Sequence, residues 1–443
     1  MRGYAAATKR PNVLFLPVDD LNDWIGCLGG HPDAKTPNID RLASRGVTFT
    51  RAYCAAPLCN ASRTAIMTGL RPSTTGVYYN SQPWRPAVPD AVTLQQHFRA
   101  NGYRVFGGGK ISHGGYEEPQ HWDEYFKRPG DPEPPKKLNG FAGEKSNFDW
   151  GALDAADEDM GDRKLADWAV GKLRDKHEQP FFLAAGMIRP HLPWYVPKKY
   201  VDMFPPDKVT IPKILENDLD DVPATGKKFA RVGDHRAVIE AKQWTNAVSC
   251  YLAAIAFADA CVGRILDALY DSPHADNTIV VLWGDHGWHL GEKTHWRKFA
   301  LWEEATRSPF ICVAPGMTTA GSRCDRPVSL LDIYPTLIDA CGLPGKEGLD
   351  GRSLAPLLRK PDAPWERPAV TTYGRNNHAV RSERWRYIRY EDGGEELYDH
   401  EKDPLEWTNL AGKPESADVK KDLARWLPTV NAQDAAKGSG GKE

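Results

Sequence analysis

The chain reads as an α/β protein: a large, mostly parallel central sheet flanked by helices, then a small C-terminal α+β unit with antiparallel strands. Three observations predict this. Apolar runs at 12–20, 180–187 and 278–287 are continuous rather than alternating, as in strands covered on both faces. Apolar residues recur at helical spacing between them, most clearly at Val248, Tyr251, Leu252, Ile255 and Val262 within 244–270. Past Gly342 the composition shifts to short runs interleaved with charge, as antiparallel strands show around turns. The expected units are a large domain over 1–345 and a small subdomain over 346–431. A small, polar tail over 432–443 predicts disorder.

The 443 residues carry 57 basic and 59 acidic side chains and are 41% hydrophobic, which suits one large domain with an appendage, or two domains. Near-neutral charge without a basic stripe argues against nucleic acid. No apolar run approaches the length of a membrane span. Residues 1–10 hold no apolar signal core, so the protein is expected to be cytoplasmic, or periplasmic or secreted if a signal peptide has been removed. The eight cysteines do not form a disulfide framework. Cys250 and Cys261 lie in one predicted helix, roughly 16 Å apart along its axis, beyond disulfide reach.

In chain order, the first strand ends in Asp19 and Asp20, at the sheet edge where α/β proteins gather ligands. Adjacent aspartates can face one ion only where the strand stops; two turn aspartates fit this segment equally well. Thr36 or Asn38 caps a short helix that Gly46 follows. A Pro57-bounded loop then delivers Cys59 to a helix N-terminus with Arg63 in its first turn. Free N–H groups and the dipole there favour an anion beside Cys59, and Arg63 adds a planar cation suited to tetrahedral oxyanions. Taken alone, Cys59 is a buried free thiol.

A polar, aromatic loop over 80–85 precedes a helix over 92–100 and a strand ending at Gly109-Lys110, with His113 three residues on. Residues 129–159, rich in Pro, Gly and charge, read as a surface insertion. A helix over 162–176 leads to the second buried strand, which runs into Pro190-His191. The span 205–234 shows no periodicity. After the helix over 244–270, the third strand ends in Asp285-His286-Gly287, repeating the first strand's pattern, and a loop carries His289, His295, Trp296, Arg297 and Lys298.

C-x-A-S-R at 59–63, followed by T-G-x-x-P at 68–72, resembles the signature of type I sulfatases, with Ala61 where Pro is usual. G-K-x-x-H at 109–113 and P-H-x-P-W at 190–194 are similar to the iduronate-2-sulfatase-like branch, and D-H-G at 285–287 to the family's second pair of metal ligands. The resemblance implies an alkaline-phosphatase-like sandwich and a sulfuric ester hydrolase. It implies that Cys59 is converted by a formylglycine-generating enzyme to Cα-formylglycine, whose hydrated aldehyde supplies the nucleophilic oxygen. Asp19, Asp20, Asp285, His286 and residue 59 would hold calcium, with magnesium or manganese left open because His286 stands where many relatives place Asn. Arg63, Lys110 and Lys298 would neutralise the sulfuryl oxygens. His191 or Lys298 would protonate the leaving oxygen, and His113 would take the proton that expels sulfate.

The substrate expected on this resemblance is a sulfated carbohydrate, with Asn80, Trp84, Arg85, Trp194, Tyr195, Trp288 and Trp296 around the site. Scaffold packing explains loop tryptophans equally well. His289 and His295, without a role from the resemblance, are expected as solvated or rim residues. A phosphonate monoester or phosphodiester hydrolase, and a non-catalytic glycan-binding relative, are the competing readings. Oligomeric state is left open.

Overall fold

The computed structural model describes residues 10–139 and 147–438. Its main sheet has eight strands. At the centre, β1 (Asn12–Val18) pairs in parallel with β5 (Phe181–Gly186) on one side and β6 (Thr278–Gly284) on the other. Beyond β5 lie β3 (Arg104–Gly109) and β4 (Glu124–Phe126), again parallel. Beyond β6 lie β7 (Phe310–Val313), β2 (Val47–Phe49) and β8 (Ser322–Cys324). Only β7 runs against its neighbours, so the sheet is mostly parallel, as expected.

Every residue of β1 is buried, which is why its sequence does not alternate. The two-residue pleat still sorts its side chains. Leu14, Leu16 and Val18 join Leu183, Val280 and Leu282 beneath α4 (Gly161–Arg174) and α6 (Trp244–Tyr270). Val13 and Phe15 join Phe182, Val281 and Trp283 beneath α3 (Leu94–Ala100) and α7 (Ile333–Ala340). Each such Leu, Val or Phe contributes about 1.5–3 kcal/mol on burial. All eight cysteines are free thiols.

One helix start differs from expectation. Thr36 precedes α1 (Pro37–Ala43), but neither it nor Asn38 caps the helix through its side chain. The carboxylate of Asp259 in α6 accepts instead from the N–H groups of Asn38 (3.1 Å) and Ile39 (2.8 Å). A cap lent by a distant helix leaves no local signature.

The C-terminal unit is the antiparallel meander β9 (Ala369–Thr372), β10 (His378–Arg381), β11 (Trp385–Arg389) and β12 (Glu395–Asp399). One face packs on Leu423 of α8 (Ala417–Ala424) and on Leu427. The other meets Ala300, Leu301, Trp302 and Ala305 of the large domain. Across that seam Glu303 takes hydrogen bonds from Arg381 (3.1 Å) and fully buried Arg386, and on its own side from Tyr53 (2.8 Å).

Two segments are more ordered than their composition suggests. Within the expected insertion, Trp150–Leu153 pairs in parallel with Trp194–Pro197. The tail, expected to be disordered, is laid along the loop before α3 as far as residue 438: Ala432, Ala435 and Gly438 donate to the carbonyls of Ser73, Gly76 and Ser81. Backbone pairing needs no apolar side chain, so composition misses it.

Replacing Arg386 by Met leaves Glu303 in the seam with one cation fewer. Breaking a buried pair on one side costs about 3–5 kcal/mol. Denaturant unfolding at unchanged m-value is expected to show that loss; a shift below about 1 kcal/mol would mean that this network does not hold the seam.

Candidate active site

Four strand ends meet at one edge of the sheet. β1 and β6 are in register to their last residues, Val18 opposite Gly284, so Asp19-Asp20 and Asp285-His286 emerge side by side. A Cβ on Gly284 would lie 2.4 Å from the carbonyl oxygen of Leu21, so the two chains can cross this closely only with Gly here. Asp20 sits in the left-handed region at φ 56°, which breaks the strand alternation. Its N–H donates to Asp285 Oδ1 (3.0 Å). β3 delivers Lys110, β5 leads to His191, and α2 (Cys59–Thr68) begins at Cys59 itself. The expected loop-to-helix placement of this cysteine is what is found.

Around the buried Cys59 Sγ lie Lys298 Nζ at 3.2 Å, His286 Nε2 at 3.4 Å, and Asp20 Oδ1 and Lys110 Nζ each at 3.8 Å. Lys298 also reaches Asp20 Oδ1 at 2.7 Å, and Lys110 pairs with Asp19. Burial alone would raise the Cys59 thiol; Lys110 and Lys298 outweigh it and hold it well below its ordinary value. This pocket therefore stabilises negative charge at residue 59.

Arg63 has a different place from the one expected. It is fully buried, and its fork spans Asp19 Oδ1 (2.9 Å) and Asp285 Oδ2 (2.8 Å). It also donates to the carbonyl of Lys110. Its hydrogen bonds go to carboxylates and backbone rather than to the cleft, so it orients the acids.

The donor set fits a hard divalent cation. Asp19, Asp285, His286 and Cys59 offer ligand atoms within 4.8 Å of one another, as do Asp19, Asp20, Cys59 and His191. Asp20 Oδ2 is buried without a hydrogen-bond partner. Burial outweighs Arg63 at Asp285 and pushes its carboxyl up to about 7, so this one carboxylate gains from a further positive charge beside it. His286 Nδ1 faces the carbonyl of Gly287 (3.0 Å), leaving Nε2 for the cation. Asp19, Asp20, Asp285 and His286 would hold the ion, and mostly carboxylate oxygens favour calcium, magnesium or manganese.

Above this floor opens a cleft of about 700 Å³, within the usual range for small-molecule sites. Asn80, Lys110, His113, His191, Trp288 and Lys298 line it. Asn80 also accepts from the N–H of Asn60 (3.0 Å), steadying the first turn of α2. Trp84, Arg85 and Trp194 are not among the lining residues. Arg85 stacks on Trp84 and is bound by Glu118 (2.7 Å), and buried Trp194 stacks with Trp150. Tyr195 pairs with Asp149, and Trp296 stacks with Trp150. These aromatics pack the scaffold. Lys127, Arg128, Asn147 and Arg297 also line the cleft, and no local pattern marks them.

Residues 11–343 match the family model described as Sulfatase, and 291–433 match one described as N-sulphoglucosamine sulphohydrolase, C-terminal. A protein named Sulfatase from Formosa agariphila is 41% identical over 444 residues, covering 96% of this chain and 87% of the relative. Iduronate 2-sulfatase of Homo sapiens is 30% identical over 381 residues, covering 80% and 68%. Among solved structures, phosphonate monoester hydrolase of Agrobacterium radiobacter superposes with a TM-score of 0.78 at 25% identity, covering 94% and 95%.

Calcium added to chelator-treated protein at about one hundred times its Kd is expected to stabilise the fold by about 2.7 kcal/mol. Asp20→Ala should abolish that shift in thermal unfolding. An equal shift in the variant would place the ion elsewhere.

Proposed function

This chain belongs to the sulfatase family and is a sulfuric ester hydrolase; on that footing we propose that it removes sulfate from a sulfated carbohydrate, using Cα-formylglycine at residue 59 and calcium. The observation that carries the reading is the pair of ammonium groups, Lys298 and Lys110, held 3.2 and 3.8 Å from Cys59 Sγ beside the cleft. That sulfur stands in for the oxygens of the matured residue. When present, the cation supplies Lewis acidity and the hydrated formyl group supplies the nucleophilic oxygen.

The chain's own groups account for the rest. Lys110 and Lys298 screen charge on the sulfuryl oxygens. His191, its Nδ1 against the carbonyl of Leu192 (2.5 Å), turns Nε2 toward the site, where a proton can be held for the leaving alcohol. His113, whose buried Nδ1 has no hydrogen-bond partner, would take a proton from residue 59. Three carboxylates, Asp19, Asp20 and Asp285, face three fixed cations, Arg63, Lys110 and Lys298. With a neutral residue 59 that set is balanced, and a divalent cation makes it positive, complementary to a sulfate monoester.

Two further features support the reading. Cys59 is fully buried, so a formylglycine-generating enzyme would act on it before the chain folds. The cleft has room for a saccharide, while Trp288, expected as a substrate contact, is buried in its wall with Lys298 Nζ 5.2 Å over its ring. The carbohydrate rests also on the names of the relatives, iduronate 2-sulfatase above all.

Peptide mass over residues 51–71 is expected to be roughly 18 Da below the cysteine form, the change that creates the nucleophile. Cys59→Ala should lower turnover of a sulfated saccharide on the order of 10⁴-fold or more, with the fold kept. Full activity in that variant, or preference for a phenyl phosphonate monoester over the aryl sulfate, would defeat the sulfate assignment.

A further inference from the structure

Lys298 sits on a loop, and the backbone of that loop is unusual. Lys293, Thr294, Arg297 and Phe299 all adopt positive φ, at 54°, 47°, 74° and 77°. Non-glycine residues hold such angles only where the surroundings impose them. Lys293 is held by Asp218 (2.6 Å) and the carbonyl of Glu406; residues 295–297 are held by α5 (Val232–Glu240) with its preceding residue. The N–H of Arg231 donates to His295 Nδ1 (2.7 Å), Trp296 Nε1 donates to His235 Nδ1 (3.0 Å), and Arg297 Nε donates to Asp234 Oδ2 (2.8 Å).

His295 is the link between this clamp and the catalytic lysine. It is fully buried, contrary to the solvated or rim position expected for it, as is His289. Because Nδ1 accepts from Arg231, the ring proton is on Nε2, which donates to the carbonyl oxygen of Lys298 (2.7 Å). One neutral imidazole thus joins the start of α5 to the Lys298 peptide. Burial holds it neutral, its basicity well below that of ordinary imidazole. On the far side of Lys298, the Phe299 N–H donates to the carbonyl of Pro57 (3.1 Å), two residues before Cys59. Lys298 is therefore fixed from both flanks, and its ammonium has a set distance to residue 59.

We propose that His295 is a positioning residue for the sulfate-cleaving reaction, a single-tautomer strut that holds the Lys298 backbone so that its ammonium meets the sulfuryl group at residue 59. This rests on the reading of Lys298 as a sulfate-contacting residue. A histidine that only filled the core would affect stability without acting through Lys298. The strut predicts coupling between the two side chains.

The test is a double-mutant cycle in the mature, metal-loaded protein. It reads inorganic sulfate affinity by calorimetry and kcat/KM on an aryl sulfate, with near-UV circular dichroism to confirm packing. His295→Ala is expected to weaken sulfate binding and lower kcat/KM by about 10–100-fold. In the Lys298→Ala background the same change should alter sulfate affinity by less than about twofold. His295→Gln, whose amide N–H can reach the same carbonyl, should recover most of the loss and serves if the alanine variant does not fold. Equal penalties in both backgrounds, unchanged affinity and kcat/KM in His295→Ala, or no recovery in His295→Gln would overturn the strut. Wild-type sulfate affinity in Lys298→Ala would instead overturn the sulfate-binding role of Lys298, and the strut with it.

Discussion

Arg63 bridges carboxylates from two neighbouring strand ends, Asp19 after β1 and Asp285 after β6, and all three side chains are buried. Moving a carboxylate out of water is costly unless a cation and hydrogen bonds replace the solvent, and a guanidinium fork does so with fixed geometry. Because Arg63 lies one turn along the helix that begins at Cys59, the same fork ties residue 59 to both acids. The remaining geometry follows from that triangle. Lys110 completes Asp19, Lys298 completes Asp20, and the two ammoniums arrive beside residue 59 as a consequence. Asp20 Oδ2 is left over, buried and without a hydrogen-bond partner, a carboxylate oxygen that would suit a divalent cation.

The parts of the chain farthest from the chemistry in sequence act as supports. The meander β9–β12 packs on residues 300–305, directly after the loop that ends at Lys298. The tail pairs with the loop over 73–81, whose Asn80 holds the first turn of α2. Helix α5 clamps the left-handed loop from the side. Flexible loops alone would not keep lysine ammoniums at set distances in a low-dielectric pocket. The loop that ends at Lys298 and the first turn of α2 are therefore each fastened by elements that do not line the cleft.

Residues whose role depends on their own segment could be recognised before the fold was known. Asp19, Asp20, Asp285 and His286 stood out because each pair closes a continuous apolar run, and parallel strands place such ends at one edge. Cys59 stood out through the C-x-A-S-R pattern and the helix that follows it. Residues whose role depends on where a side chain turns could not be recognised. Trp194 and Trp84 look like sugar-binding aromatics in a loop, yet burial against Trp150 and Arg85 consumes them. Arg63 sits one turn past Cys59, yet its planar fork finds two acids before it finds solvent.

The linear chain determined the layered α/β order, the ligand-bearing strand ends and the placement of Cys59 at a helix start. Those features arise from periodicity and from neighbours a few residues apart. Only the tertiary structure decided which cation meets which carboxylate, which aromatics reach the cleft, and that His295 is a buried link rather than a rim residue. Such pairings are set by desolvation among groups hundreds of positions apart, and no local pattern encodes a partner that only folding brings within 3 Å.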